Sequence, residues 1–275
     1  MSPDYSLRKW KFASSPTWRA IFRLFGLPLV LALLALLCAG SLAPPWSSPT
    51  LANPLGTDEF GRDVLSTAII AAGLSLSKGL AMTGTTLVLG ILAAECVTLA
   101  RSTALSEAIR LLARVIESIP VVLWVLIVVI VLKEHRSIVA GIAFTLVVLP
   151  SAITLVAGEL LRLRHIPFVE AAYLLGVRES RVLLRYILPN ATAVLLPFAV
   201  QILGGAVAVD GAIGVIGLGS RLDQDLGVFL IRGKENFLLH PQILIIAIAM
   251  YAAIYLHLLT LSQFWVRRGE GGGLP

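Results

Sequence analysis

Six stretches of this chain are long and apolar enough to cross a lipid bilayer. They lie at roughly 24–43, 79–99, 115–132, 138–160, 191–211 and 242–264. A membrane-spanning helix needs about 20 mostly apolar residues, because every backbone N–H and C=O inside hydrocarbon must be bonded within the segment. Composition agrees: 57% of residues are hydrophobic and 14% charged, against about 45–50% and about 25% in soluble domains. The expected fold is therefore an all-α membrane protein of about six transmembrane helices. The run 115–132 is short and begins beside Glu117 and Pro120, so it is expected to be tilted or partly unwound. The region 191–219 is rich in glycine and is expected to contain a helix end or a re-entrant piece.

The net charge of +6 is accounted for by topology, since Lys and Arg collect in cytoplasmic loops. With the N-terminus inside, the inner loops hold Arg8, Lys9, Lys11, Arg19, Arg23, Arg101, Arg110, Arg114, Arg162, Arg164, Arg178, Arg181, Arg185, Arg267 and Arg268. The outer loops hold only Arg62, Lys78, Lys133, Arg136, Arg221, Arg232 and Lys234. Both termini are thus expected in the cytoplasm. The basic residues before the first run are followed by no good small-residue cleavage site, so that run is read as a retained span. Nucleic acid is excluded as a partner, because no concentrated basic patch is present. Cys38 and Cys96 lie inside apolar runs without CxxC spacing and imply no metal or redox framework. The expected division is a cytoplasmic segment 1–23, a transmembrane domain 24–265 and a cytoplasmic tail 266–275. Two outer loops, 44–78 and 218–241, and one long inner loop, 161–190, belong to the transmembrane domain.

The inner loop predicts a bent two-helix knob. Pro167 suits a first helical turn, Glu170 lies near the positive end of the helix dipole, and Gly176 suits a left-handed stop. A second short helix follows from Arg178 to Leu188, with Pro189-Asn190 as its end. Helical spacing puts Val169, Ala172, Tyr173 and Gly176 on one face, small enough for a partner to approach closely. The same residues fit equally well a helix lying in the lipid headgroups. The string Glu170-Ala171-Ala172, then Gly176, then Tyr186-Ile187-Leu188-Pro189 resembles the EAA loop of ABC-importer permeases, with Tyr186 where that family commonly has Ile.

The stretch Leu55-Gly56-Thr57-Asp58-Glu59-Phe60-Gly61-Arg62-Asp63-Val64-Leu65-Ser66 has a local reading of its own. Gly56 and Gly61 permit tight turns. Thr57, Asp58 or Asp63 can cap a helix, and Val64, Leu65, Ala68, Ile69, Ala72 and Leu76 form an apolar helical stripe leading to the second span. As a string it resembles the signature of the second permease subunit of dipeptide, oligopeptide and nickel importers. Asp210 followed by Gly217-Leu218-Gly219 is similar to a further segment of that branch, with Asp for the usual Glu, and Leu226-Gly227 where Trp-Gly is common.

The resemblance implies the type I importer fold and a machine of several subunits. The inner loop would be the coupling element docking on a cytoplasmic ATPase, with Glu170, Ala171, Ala172, Gly176, Leu188 and Pro189 as its residues. A homologous second permease, two ATPase subunits and an extracytoplasmic solute-binding protein would complete the assembly in the bacterial inner membrane. The chain itself would need no cofactor; ATP and Mg would be held by the ATPases. The solute would be a di- or oligopeptide, with nickel or a metal chelate as the alternative.

Ionisable residues in apolar spans are costly and often functional. Glu95, Glu117 and Glu159 fall near span ends; Asp210, followed by glycines, is the better pore or gate candidate together with Gly217 and Gly219. An ion-coupled secondary transporter relaying protons or sodium through Glu95, Glu159 and Asp210 is the alternative of another class. Enzymatic activity is not expected. The nearest approach to a phosphate loop, Gly227 to Glu235, has one residue too many and Glu in place of Ser or Thr. His135, His165, His240 and His257 show no paired-ligand spacing, and no Gly-x-Ser-x-Gly elbow occurs.

Overall fold

The computed structural model describes residues 43–51, 53–100, 102–132, 136–218 and 224–271. The segment 1–23, nearly all of the first predicted span (24–42), Cys38, His135 and Gly219 lie outside them. The described residues form helices α1 (Val64–Ala100), α2 (Thr103–Glu117), α3 (Val121–Leu132), α4 (Arg136–Arg164), α5 (Pro167–Leu174), α6 (Glu179–Val182), α7 (Leu188–Val215), α8 (Leu226–Glu235) and α9 (Pro241–Gly271). Among the described residues, four continuous helical stretches are long and apolar enough to cross a membrane: α1, α4, Glu179–Val215 and α9. The bent pair α2–α3 makes a fifth if counted as one broken span.

Three boundaries differ from the sequence-based expectation. The stripe at 64–76 and the span at 79–99 are one unbroken helix, α1, which begins directly after Asp63. Asp63 starts it: its carboxylate accepts the Ser66 N–H at 2.8 Å, satisfying one of the free donors of the first turn. No proline follows to interrupt the ladder before Ala100. The third run is broken beside Pro120, as expected, but its helical stretch starts at Thr103 rather than at residue 115. Its helices α2 and α3 meet at 82°, because Pro120 offers no N–H and disfavours a helical Ile119. Helix α3, at 12 residues, reaches about 18 Å, short of the roughly 30 Å hydrocarbon core. Trp124 bridges the bend by donating its indole N–H to the Ile116 carbonyl at 3.1 Å.

The third difference is at Pro189, which does not end the second knob helix. A π-turn at Leu183–Ile187 joins α6 to α7, and the Leu188 N–H bonds to the Leu183 carbonyl. The wider turn accommodates the extra residue and the donor that proline lacks, so the helix continues into the bundle.

Among the described residues the bundle has three apolar clusters. One joins α1, α7, α8 and α9 through residues such as Ala68, Leu76, Leu203, Phe229 and Ile254. Another joins α3, α4 and α7 around Val125, Val129, Phe144 and Ala206. The remaining one, built on Val156, Leu160, Leu163, Val169, Val182 and Ile187, fixes α5 and α6 to the end of α4. Small residues let the helices approach where they cross: Gly79 faces Leu203 and Val207, and Gly90 faces Ala152. Outward, Val88, Leu92, Ile127, Val131, Ile142 and Leu256 are exposed, the surface that lipid or a partner subunit covers.

Candidate functional site

The knob is α5, a turn at Gly176 and α6. Pro167 occupies the first turn of α5 and Glu170 its acidic position. Gly176 adopts φ +73°. The Val177 N–H reaches the Ala172 carbonyl and the Gly176 N–H the Tyr173 carbonyl, a Schellman stop as its residue type predicts. The face is not the expected one. Val169 and Ala172 are buried against the chain's own helices, because Val156, Leu160 and Leu163 offer an apolar wall on that side. The outward face instead carries Glu170, Ala171, Leu174 and Leu175. Leu174 and Leu175 are 89% and 83% exposed. A Cβ added at Gly176 would meet nothing. Leu188 is half-buried and Pro189 exposed at the start of α7.

A charged node holds this knob to the bundle. Arg164, the last residue of α4, donates Nη2–H to Glu95 Oε1 of α1 and to Glu179 Oε1 of α6, each at 2.8 Å. Arg164 and Glu95 side chains are each 13% exposed. The Tyr173 hydroxyl of α5 donates to the same Glu179 oxygen at 2.7 Å. Burial, with Glu179 beside it, pushes that hydroxyl up to about 12, so it remains a donor at neutral pH. Four segments therefore meet at one guanidinium. Arg164 and Glu179 were not singled out by motif. The readable signal was opposite charge near the same ends of two predicted spans, Glu95 and Arg164, since charges at matched depth tend to pair.

A second polar node lies at the opposite end of α1. Ser75 is fully buried; its hydroxyl donates to Asp210 Oδ2 of α7 at 2.6 Å and accepts the Leu226 N–H of α8 at 3.0 Å. Asp225 caps α8 through the Val228 N–H at 2.9 Å and pairs with Lys78 of α1. Asp210 thus sits within the last two turns of α7, and its carboxylate faces α1 and α8. Gly227 packs so closely on α7 that a Cβ there would lie 2.6 Å from the Asp210 carbonyl oxygen. Gly217, at φ +79°, ends α7 with the same stop as Gly176: the Leu218 N–H bonds the Ile213 carbonyl.

The outer-loop string folds into a tight cover over α8. Thr57 donates its hydroxyl to the Pro44 carbonyl at 2.7 Å. Asp58 accepts the backbone N–H groups of Phe60 and Arg62, and its other oxygen takes the Arg62 guanidinium at 2.7 Å. Gly56 and Gly61 have φ +77° and +74°, and a Cβ at Gly61 would lie 2.0 Å from the Ala43 carbonyl oxygen. Leu55 packs on the neighbouring apolar cluster. Arg232 of α8 approaches the Phe60 ring at 5.3 Å, and Trp46 stacks on His240 at 3.9 Å. The acids of the ion-relay alternative have local partners: Glu159 binds Arg162 at 2.6 Å, Glu95 binds Arg164 and Asp210 binds Ser75.

Comparison with known proteins matches this architecture to one family. Residues 86–269, more than half the chain, match the binding-protein-dependent transport system inner membrane component. The chain is 26% identical over 221 residues to the glutathione transport system permease protein of Pectobacterium atrosepticum, covering 78% of this chain and 70% of that one. It is 29% identical over 191 residues to an inner membrane ABC transporter permease protein of Escherichia coli, covering 69% and 55%. It is also 29% identical over 177 residues to the dipeptide transport system permease protein of Alkalihalophilus pseudofirmus, covering 63% and 56%. The chain therefore belongs to the binding-protein-dependent transport system inner membrane component family and is a multi-pass permease subunit of an ABC importer.

Proposed function

We propose that this permease subunit imports short peptides, and that its knob is the element on which a cytoplasmic ATPase docks. The observation that carries the docking reading is the contrast between the knob's two faces. Its inner face is anchored by buried Val169 and Ala172 and by Arg164, while Leu174 and Leu175 project into open space beside Glu170 and Ala171. A docking element needs both, a surface to grip and a rigid backing to transmit force. Peptide as the solute is supported by the relatives, named for glutathione and dipeptide transport.

In this reading a homologous permease supplies the other half of the path, two ATPases bind ATP and Mg, and an extracytoplasmic binding protein delivers the solute. The knob end and both termini are cytoplasmic, in line with the basic residues there. The outer-loop cover, Asp210 and Gly217 form the gate region at the opposite end. ATP-driven closure of the ATPases rocks the bundle between the two access states, the rigid-body logic of alternating access.

Gly176→Leu tests the docking. At φ +73° a side chain costs about 1–2 kcal/mol, and its Cβ meets nothing within 4 Å, so the subunit is expected to remain in the membrane. The expected result is loss of vanadate-sensitive uptake of a labelled dipeptide, with the ATPase detached or uncoupled. Full uptake in that variant contradicts the docking role.

A further inference from the structure

We propose that α1 is the rod that carries displacement of the knob to α8, and that Arg164 is the positioning residue that fastens the knob to this rod. The inference rests on the knob being the ATPase-docking element and adds a route by which its movement reaches the far end of the bundle.

Helix α1 has a polar fastening at each end. Glu95 is bonded to Arg164, which holds Glu179 of the knob. Ser75 receives the Leu226 N–H, and Lys78 pairs with Asp225, so α1 side chains hold the first residues of α8. Ser75 and Glu95 are separated by about 30 Å at the helical rise of roughly 1.5 Å per residue, the thickness of the hydrocarbon core. Between them α1 contains neither proline nor a π-turn. Its close crossings are made through Gly79 and Gly90, and smooth contacts of that kind permit small sliding of packed helices.

Helix α7 also connects the two ends, but less stiffly. It begins in the π-turn at Leu183–Ile187 and contains Pro197, and both features loosen the hydrogen-bond ladder. The two routes respond differently to one substitution. Removing the Glu179 carboxylate releases α6 from Arg164 and leaves the backbone paths from α4 into α5 and from α6 into α7 intact. It also leaves Arg164 and Glu95 as a neutral pair, so no buried charge is stranded.

The test uses the assembled importer in nanodiscs, with nitroxides at the exposed positions Leu238, beyond α8, and Ile138, at the start of α4. Pulsed electron resonance measures their separation without nucleotide and with ATP and vanadate, beside uptake and ATP hydrolysis. The wild type is expected to show a nucleotide-dependent change. In Glu179→Ala that change is lost and uptake falls about tenfold, within the usual range of coupling between sites, while hydrolysis continues. Glu179→Gln, which keeps an acceptor for Tyr173 and serves if the alanine variant fails to fold, gives the same loss in smaller measure. A full distance change with full uptake in the variants overturns the proposal. A wild type with vanadate-sensitive uptake but no distance change overturns it too, leaving the docking reading intact. No ATP-dependent uptake in the wild type overturns the docking reading itself, and the rod with it.

Discussion

Glycine-to-alanine substitution should have opposite signs at two positions of this bundle, and the structure fixes both. At Gly214 a new Cβ would lie 2.3 Å from the Cα, C and O atoms of Gly227. Ordinary contact begins near 3.4 Å, so α7 and α8 must separate by about 1 Å, and backbone cannot rotate aside as a side chain can. A shift of that size is enough to take the Leu226 N–H, now 3.0 Å from Ser75 Oγ, out of hydrogen-bonding range. Overpacking costs about 1–3 kcal/mol and the lost bond about 1 kcal/mol, so Gly214→Ala should destabilise by about 2–4 kcal/mol. At Gly84, in the exposed middle of α1, a Cβ meets nothing within 4 Å. There the alanine removes the helical penalty of glycine and should stabilise by about 0.8–1 kcal/mol. Denaturation of the purified subunit by dodecyl sulfate in mixed micelles, followed by tryptophan fluorescence, reads both. The midpoints should fall on opposite sides of the wild type. A Gly214→Ala midpoint within about 0.5 kcal/mol of the wild type, the range of an ordinary surface change, would refute the close crossing of α7 and α8.

Other consequences can be checked as directly. Gly61→Ala should open the outer cover, since a left-handed backbone costs a side chain about 1–2 kcal/mol and its Cβ would collide with the Ala43 carbonyl; faster proteolysis between residues 43 and 63 is the readout. Pro120→Ala should restore a helical N–H at the bend and straighten α2–α3 from 82°, seen as a longer spin-label distance between Leu112 and Ile130. The Tyr173 hydroxyl titrates from its ordinary 10.0 up to about 12 because of burial and Glu179. The unfolded chain loses that proton first as pH rises, so this contribution to stability is complete below about pH 10 and disappears towards about pH 12. Tyr173→Phe should flatten stability against pH in that window; an unchanged slope would remove Tyr173 from the node.

The helices were legible because bilayer length and apolarity are one-dimensional properties. Pro167, Gly176 and Asp63 announced their turns because proline, glycine and a capping carboxylate each carry a local backbone preference. What sequence reading missed was set by tertiary context. Pro189 reads as a helix end until the π-turn before it is known. The small face at Val169 and Ala172 reads as a docking surface, but the apolar wall at Val156 and Leu160 takes it inward and leaves Leu174 and Leu175 outside. Asp210 was visible as an intramembrane acid. Its partner Ser75 lies in another helix, and an uncharged serine in an apolar run gives no signal. Nor does the pairing of Arg164 with Glu179 follow from any motif; it needs the fold of α5 and α6 to bring them together.

The central claim is that the outward ridge of α5 grips the ATPase. Photo-crosslinking from Leu174 measures this most directly, with Ile142, also apolar and 57% exposed within α4, as the comparison. A crosslinker at Leu174 should capture the ATPase subunit in membranes, and one at Ile142 should capture lipid or the second permease. Capture of the ATPase from Ile142 and not from Leu174 would contradict the claim.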